Sequence, residues 1–124
     1  MHVLNIEDDA IKHRDICRVL ENCGITEIDW AKNLEDGIAR LQQPDNQSKS
    51  YDLIITDMFY PLAPGGRETE AGEILIKKVK QMNLNIPIIL CSSINYRIPE
   101  ILGTVHYMNH VDWENDLREL INKI

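Results

Sequence analysis

An excess of positive charge is the first thing this sequence lacks. Lys and Arg number 13 against 20 Asp and Glu, a formal net charge of −7. Nucleic-acid binding draws its affinity from basic side chains set against phosphates, so direct contact with DNA or RNA is not expected. The cysteines are few, odd in number and not spaced as metal ligands: Cys17, Cys23 and Cys91. Two fall on a helical pattern and one at a strand end, which reads as buried free thiols in a reducing, cytoplasmic setting. The opening "MHVLNIEDD" turns acidic at Glu7 and so lacks the basic and apolar regions of an export signal. No apolar stretch approaches the roughly 20 residues of a membrane-spanning helix. Long insertions, internal repeats and linkers are absent too, and residues 1–124 read as one domain with room for a real core.

What is present is an alternation of short apolar runs and helical faces. Val3–Ile6, interrupted by Asn5, reads as a strand, and Ile16, Val19, Leu20 and Cys23 follow at i, i+3, i+4 and i+7, a face closed by Gly24. Ile28–Ala31 is a second strand. Leu34, Ile38 and Leu41 mark a helix, and "QQPDNQSKS" is a polar connection. Leu53–Thr56 is the third strand; Ile74, Leu75, Val79 and Met82 give the third helix, and "NIPIILCS" the fourth strand. Ile94–Leu102 reads as a short helix begun near Pro99, and Val105–Met108 as a fifth strand. Leu117, Leu120, Ile121 and Ile124 form the last helical face, with Asp112 as its cap. This pattern predicts an α/β fold: a single doubly wound, five-stranded parallel sheet of flavodoxin-like order 2-1-3-4-5, with helices on both faces.

In such a sheet the ligand crevice lies beyond the carboxyl ends of the strands. Glu7-Asp8-Asp9, Asp57, Ser92-Ser93 and Asn109-His110 all stand at those ends. Singly, each is as well explained by a helix cap or a solvated strand end. Jointly, they bring carboxylates together that repel unless a cation intervenes, and Mg²⁺ suits a site of few carboxylates and several waters. Asp57 is then placed to act as a nucleophile and form an aspartyl phosphate, with Ser92 donating a hydrogen bond and a cation after strand five offsetting charge.

These motifs resemble the receiver domain of two-component response regulators over nearly the whole chain. "VLNIEDDAIKHRDICRVLENCG" resembles the first strand and helix, "DWAKNLEDGIARL" the second pair, and "YDLIITDMFYP" the acceptor strand with its proline. "GEILIKKVKQMNLNIPIILCSS" and "LGTVHYMNHVDWENDLREL" resemble the remaining elements. The resemblance implies Asp57 as phosphorylated aspartate, Asp8 as a direct Mg²⁺ ligand, Glu7 acting mainly through water, and Phe59 contributing its backbone carbonyl. Ser92 would bind the phosphoryl group and move with Tyr107 as a switch. The implied partners are a histidine kinase or phosphotransfer protein and, on the expectation of a stand-alone receiver, an unidentified downstream protein.

Three departures bear on that expectation. Where the family has lysine then proline, this chain has His110 and Val111; His110 is either a pH-dependent substitute cation or simply a polar strand-end residue. "LAPGGRETEAG" lengthens the loop at 62–72, either as tolerated decoration or as a lid or partner contact, with Arg67 a remote candidate for the missing cation. The "SINYRIPEILG" segment is short for the family, which remodels any output face near Tyr96 and Trp113. A phosphorylation-independent docking module is therefore the alternative function. A haloacid-dehalogenase-like phosphatase would need an aspartate at Phe59, and a flavin carrier would need a phosphate loop where "EDDA" stands.

Overall fold

The computed structural model describes residues 1–42 and 51–124. In chain order the elements are β1 (His2–Ile6), α1 (Ala10–Asn22), β2 (Glu27–Ala31), α2 (Leu34–Leu41), β3 (Leu53–Thr56), β4 (Tyr60–Pro61), β5 (Glu68–Thr69), α3 (Ala71–Gln81), β6 (Ile88–Ser92), β7 (Gly103–His106) and α4 (Trp113–Ile121). Five strands form one sheet in the order β2-β1-β3-β6-β7, every pair parallel, which is the doubly wound order expected.

The strand sequences read as continuous apolar runs because both faces are covered. On one face Val3, Leu53, Ile55, Ile89, Cys91 and Val105 pack with Ile16, Val19 and Leu20 of α1 and Leu117 and Ile121 of α4. On the other, Leu4, Ile6, Ile54 and Ile88 pack with Leu34 of α2 and Ala71, Leu75, Ile76 and Val79 of α3. Each buried Val, Leu or Ile contributes about 1.5–3 kcal/mol relative to an exposed one. Asn5, a polar residue inside β1, is fully buried but bonded: its Nδ2 donates to the Ile55 carbonyl at 2.9 Å. A buried amide so satisfied is tolerable in a core strand.

Helix ends follow their local chemistry. Asp9 caps α1 through the amides of Ile11 and Lys12, and Gly24, at φ +81°, ends it in a backbone conformation that glycine adopts freely. Asp112 caps α4 by accepting from Asn115 N.

Four expectations are corrected. Residues 94–102 form bends and turns rather than a helix. Only three residues lie between Pro99 and β7, too few for a helical turn begun at the proline to complete its hydrogen bonds. Correspondingly, the last strand is Gly103–His106, two residues earlier than Val105–Met108. Ile74 is exposed, and Ile76 takes its place on the buried side of α3. Cys91 is a buried free thiol, but Cys17 and Cys23 are half-buried. The polar connection after α2 lies, apart from Gln42, outside the described residues. The long loop at 62–72 contains structure: β4 and β5 pair antiparallel, Tyr60 with Thr69 and Pro61 with Glu68.

Candidate functional site

The carboxyl edge of the sheet gathers most of the residues named from the sequence. A pocket of about 350 Å³ is lined by Glu7, Asp8, Asp9, Lys12, Asp57, Phe59, Glu68, Ser92, Ser93 and Tyr107. Strand register places the acids: Ile6 pairs with Thr56 in adjacent strands, so the residues that follow, Glu7 and Asp57, emerge side by side. Glu7 is pinned by its backbone, its N–H donating to Ala31 O at 2.9 Å and its carbonyl accepting from Trp30 Nε1 at 2.6 Å. Asp57 is pinned likewise, with its N–H on Ile6 O at 3.1 Å and its Oδ1 accepting from Met58 N at 2.7 Å.

Glu7, Asp8 and Asp57 each present a carboxylate oxygen, and these oxygens lie within 4.8 Å of one another. Such a set of hard, anionic oxygens fits a small divalent cation such as Mg²⁺, which keeps waters in its remaining positions. Phe59 lines the pocket half-buried, and Ser92, at the end of β6, is buried with its Oγ accepting from Ile94 N at 3.2 Å. Tyr107, just beyond β7, turns inward and donates its hydroxyl to Asp15 Oδ2 of α1 at 2.7 Å. His110 is not brought into the pocket. It is exposed in the turn that precedes α4, because β7 ends at His106 and the chain has left the sheet edge by residue 110.

The cation in the pocket comes instead from α1. Lys12 Nζ lies 3.0 Å from Glu7 Oε1 and 3.2 Å from Asp57 Oδ2, and it donates to the Cys91 carbonyl at 2.6 Å. The Cys91 contact is a hydrogen bond, and the two carboxylate contacts are ion pairs that flank the same ammonium. The Tyr107 ring lies 5.4 Å from Nζ, within cation–π reach. Lys12 is 5% exposed and Glu7 1%. Burial alone would lower the Lys12 pKa, but the Glu7 and Asp57 carboxylates outweigh it and raise the pKa above its ordinary value. Burial pushes the Glu7 carboxyl up to about 7; Lys12 opposes the rise and Asp57 adds to it.

The sequence reading missed Lys12 although a signal was there. Counting back four residues from Ile16 on the buried stripe of α1 lands on Lys12, so a lysine stands where the helix faces the sheet. It also missed Glu68, which the β4–β5 hairpin sets beside Asp8; a hydrogen bond and the charge of Asp8 raise the Glu68 pKa. Arg67 is exposed on that hairpin.

Comparison with known proteins agrees with this architecture. No family model matches the chain. It is 31% identical over 88 residues to Two-component system protein A of Emericella nidulans, a match covering 71% of this chain and 11% of that protein. The chain thus spans only a small part of that relative. Among solved structures it is similar to response regulator RPA3017 of R. palustris red light signalling (TM-score 0.74, 14% identity, 99% of this chain and 92% of that one). It is also similar to RcsB of Salmonella enterica serovar Typhimurium bound to promoter rprA with phosphomimetic BeF3⁻ (TM-score 0.72, 21% identity, 100% and 67%). The Mn²⁺-bound response regulator Rcp1 is a third (TM-score 0.70, 18% identity, 95% and 89%). The structural matches show the fold of response regulator receiver domains, and the sequence match is to a part of a two-component system protein.

Proposed function

We propose that this receiver domain is a phosphorylatable switch in which Asp57 accepts a phosphoryl group in a Mg²⁺-dependent reaction. The donor is the phosphohistidine of a histidine kinase or phosphotransfer protein, and the output is contact with another protein. The observation that carries this reading is the convergence of Glu7, Asp8 and Asp57 oxygens within 4.8 Å at the sheet edge. An oxygen of Asp57 attacks phosphorus, the new O–P bond forms, and the donor's P–N bond breaks with its electron pair returning to the imidazole. Bound Mg²⁺ would supply charge neutralisation for the three transferring oxygens, held by Asp8 and Asp57 with Glu7 behind and the Phe59 carbonyl beside them. Ser92 would donate to a phosphoryl oxygen, and Tyr107 would report the change by leaving or keeping its bond to Asp15. Two neighbours, one held with a phosphomimetic and one with a divalent cation, support the same reading.

Incubation with acetyl phosphate and Mg²⁺, followed by intact-mass measurement, tests it. A single phosphoryl adduct is expected, absent from Asp57→Asn and from a chelated sample. The second reading, a phosphorylation-independent docking module, is favoured by an ammonium already balancing the acids. Absence of an adduct in the unaltered protein would select it.

Metal binding should depend on pH with a defined sign. The Glu7 carboxyl is raised to about 7, so below that pH a proton competes with the cation. Calorimetric titration with Mg²⁺ should show affinity falling by up to about tenfold per pH unit below that point and levelling off above it. A flat profile between pH 6 and 8 would remove Glu7 from the metal-binding set.

A further inference from the structure

We propose that Lys12, carried on α1, is the phosphoryl-contacting cation of this site, the role that the resemblance assigns to a residue following the last strand. The inference rests on the proposed acceptor function of Asp57 and names a residue of that same site.

Four observations carry it. First, position: Nζ is 3.2 Å from Asp57 Oδ2, the carboxylate on which the phosphoryl group would be built. Second, cost: a lysine 5% exposed is retained in a core only where its charge is used, since desolvating an ammonium is expensive. Third, reach: the ammonium touches the ends of three strands at once, through Glu7 after β1, Asp57 after β3 and the Cys91 carbonyl in β6. Fourth, vacancy elsewhere: His110 is exposed and outside the pocket lining, so the far end of the sheet brings no cation to Asp57 from that position.

The chemistry follows from charge. A phosphoryl group arriving at Asp57 brings anionic oxygens into a pocket already holding Glu7 and Asp8. An ammonium fixed in place before the reaction stabilises the charge as it develops, without reorganisation. Its N–H groups can pass from Asp57 Oδ2 to a phosphoryl oxygen by a small movement of a flexible stem. That movement draws Nζ relative to the Tyr107 ring 5.4 Å away, and Tyr107 is itself tied to α1 through Asp15, one turn beyond Lys12. Phosphorylation would thus be read by α1 and Tyr107 together.

The test compares four proteins, each checked for folding by circular dichroism: unaltered, Lys12→Met, Lys12→Arg and His110→Ala. Two quantities are read: the initial rate of adduct formation from acetyl phosphate with Mg²⁺, and affinity for beryllofluoride from tryptophan emission. Trp30 is a built-in reporter because its Nε1 donates to the Glu7 carbonyl. Removing one preorganised charged donor should slow the reaction about 100-fold in Lys12→Met, with a parallel loss of beryllofluoride affinity. Lys12→Arg should recover part of both, and His110→Ala should lose at least tenfold less than Lys12→Met. If Lys12→Met does not fold, Lys12→Arg against His110→Ala decides: the arginine variant must then show the larger defect, because a guanidinium cannot reproduce the same three contacts. A Lys12→Met rate within threefold of the unaltered protein, or a larger loss in His110→Ala, overturns the proposal. No adduct in the unaltered protein would instead sink the acceptor function, and the proposal with it.

Discussion

Lys12→Met should destabilise the fold by about 3–5 kcal/mol near pH 8, the cost of removing one partner from a buried ion pair. The penalty comes from Glu7, which is 1% exposed and has Lys12 Nζ 3.0 Å from its Oε1. Without the ammonium, the carboxylate sits unpaired beside Asp57. The pH dependence has a definite sign. The Glu7 carboxyl is raised from 4.5 to about 7 even with Lys12 present, and losing the cation raises it further. A group whose folded pKa lies above its unfolded value stabilises the fold while protonated and withdraws that contribution as pH rises. The deficit of Lys12→Met should therefore be small near pH 5 and large near pH 8. Urea unfolding of both proteins at the two pH values measures it, and a deficit independent of pH would mean that Glu7 is not the group left unpaired.

Gly72→Ala should be nearly as damaging, for a steric reason. A Cβ built on Gly72 would stand 2.3 Å from the Asp57 carbonyl oxygen and 2.8 Å from Met58 Cα. Both are backbone atoms, so no rotamer change relieves the clash. The Gly72 N–H also donates to the Met58 carbonyl at 2.9 Å, which holds the start of α3 against the acceptor segment. Overpacking of this kind costs up to about 3 kcal/mol, or a fall in melting temperature on the order of 10 °C for a domain of this size. A displaced Asp57 should also accept phosphate more slowly, by roughly 100-fold for a shift of about 1 Å. Gly103→Ala is the control: the nearest atoms to its Cβ would belong to the Leu120 side chain, from 2.6 Å, which can turn away. Scanning calorimetry of the two variants should show the larger loss in Gly72→Ala.

Much of the fold was legible because parallel strands covered on both faces must be apolar throughout. Leu53-Ile54-Ile55 and Ile88-Ile89-Leu90 could be nothing else, and both proved buried in the central strands. The misplaced element, a helix at 94–102, rested on scattered apolar residues around Pro99, and only three residues separate that proline from β7. The acids of the candidate site were legible as well, since Glu7, Asp8 and Asp57 each follow a strand that could be read. Glu68 was not, because its place beside Asp8 depends on a two-residue pairing within a segment that has no periodicity to read.

The cation shows where sequence reasoning stops. His110 was named because it stands at a familiar offset along the chain, and offset is a one-dimensional property. By itself the sequence determined the layer architecture, the strand order expected of it and the edge on which carboxylates gather, because burial and strand polarity are local and repetitive. Which positive charge reaches those carboxylates was decided only in three dimensions. Helix phase turns Lys12 toward the sheet, the early end of β7 leaves residue 110 in solvent, and an ammonium on a four-carbon stem can cross the ends of three strands to meet Asp57.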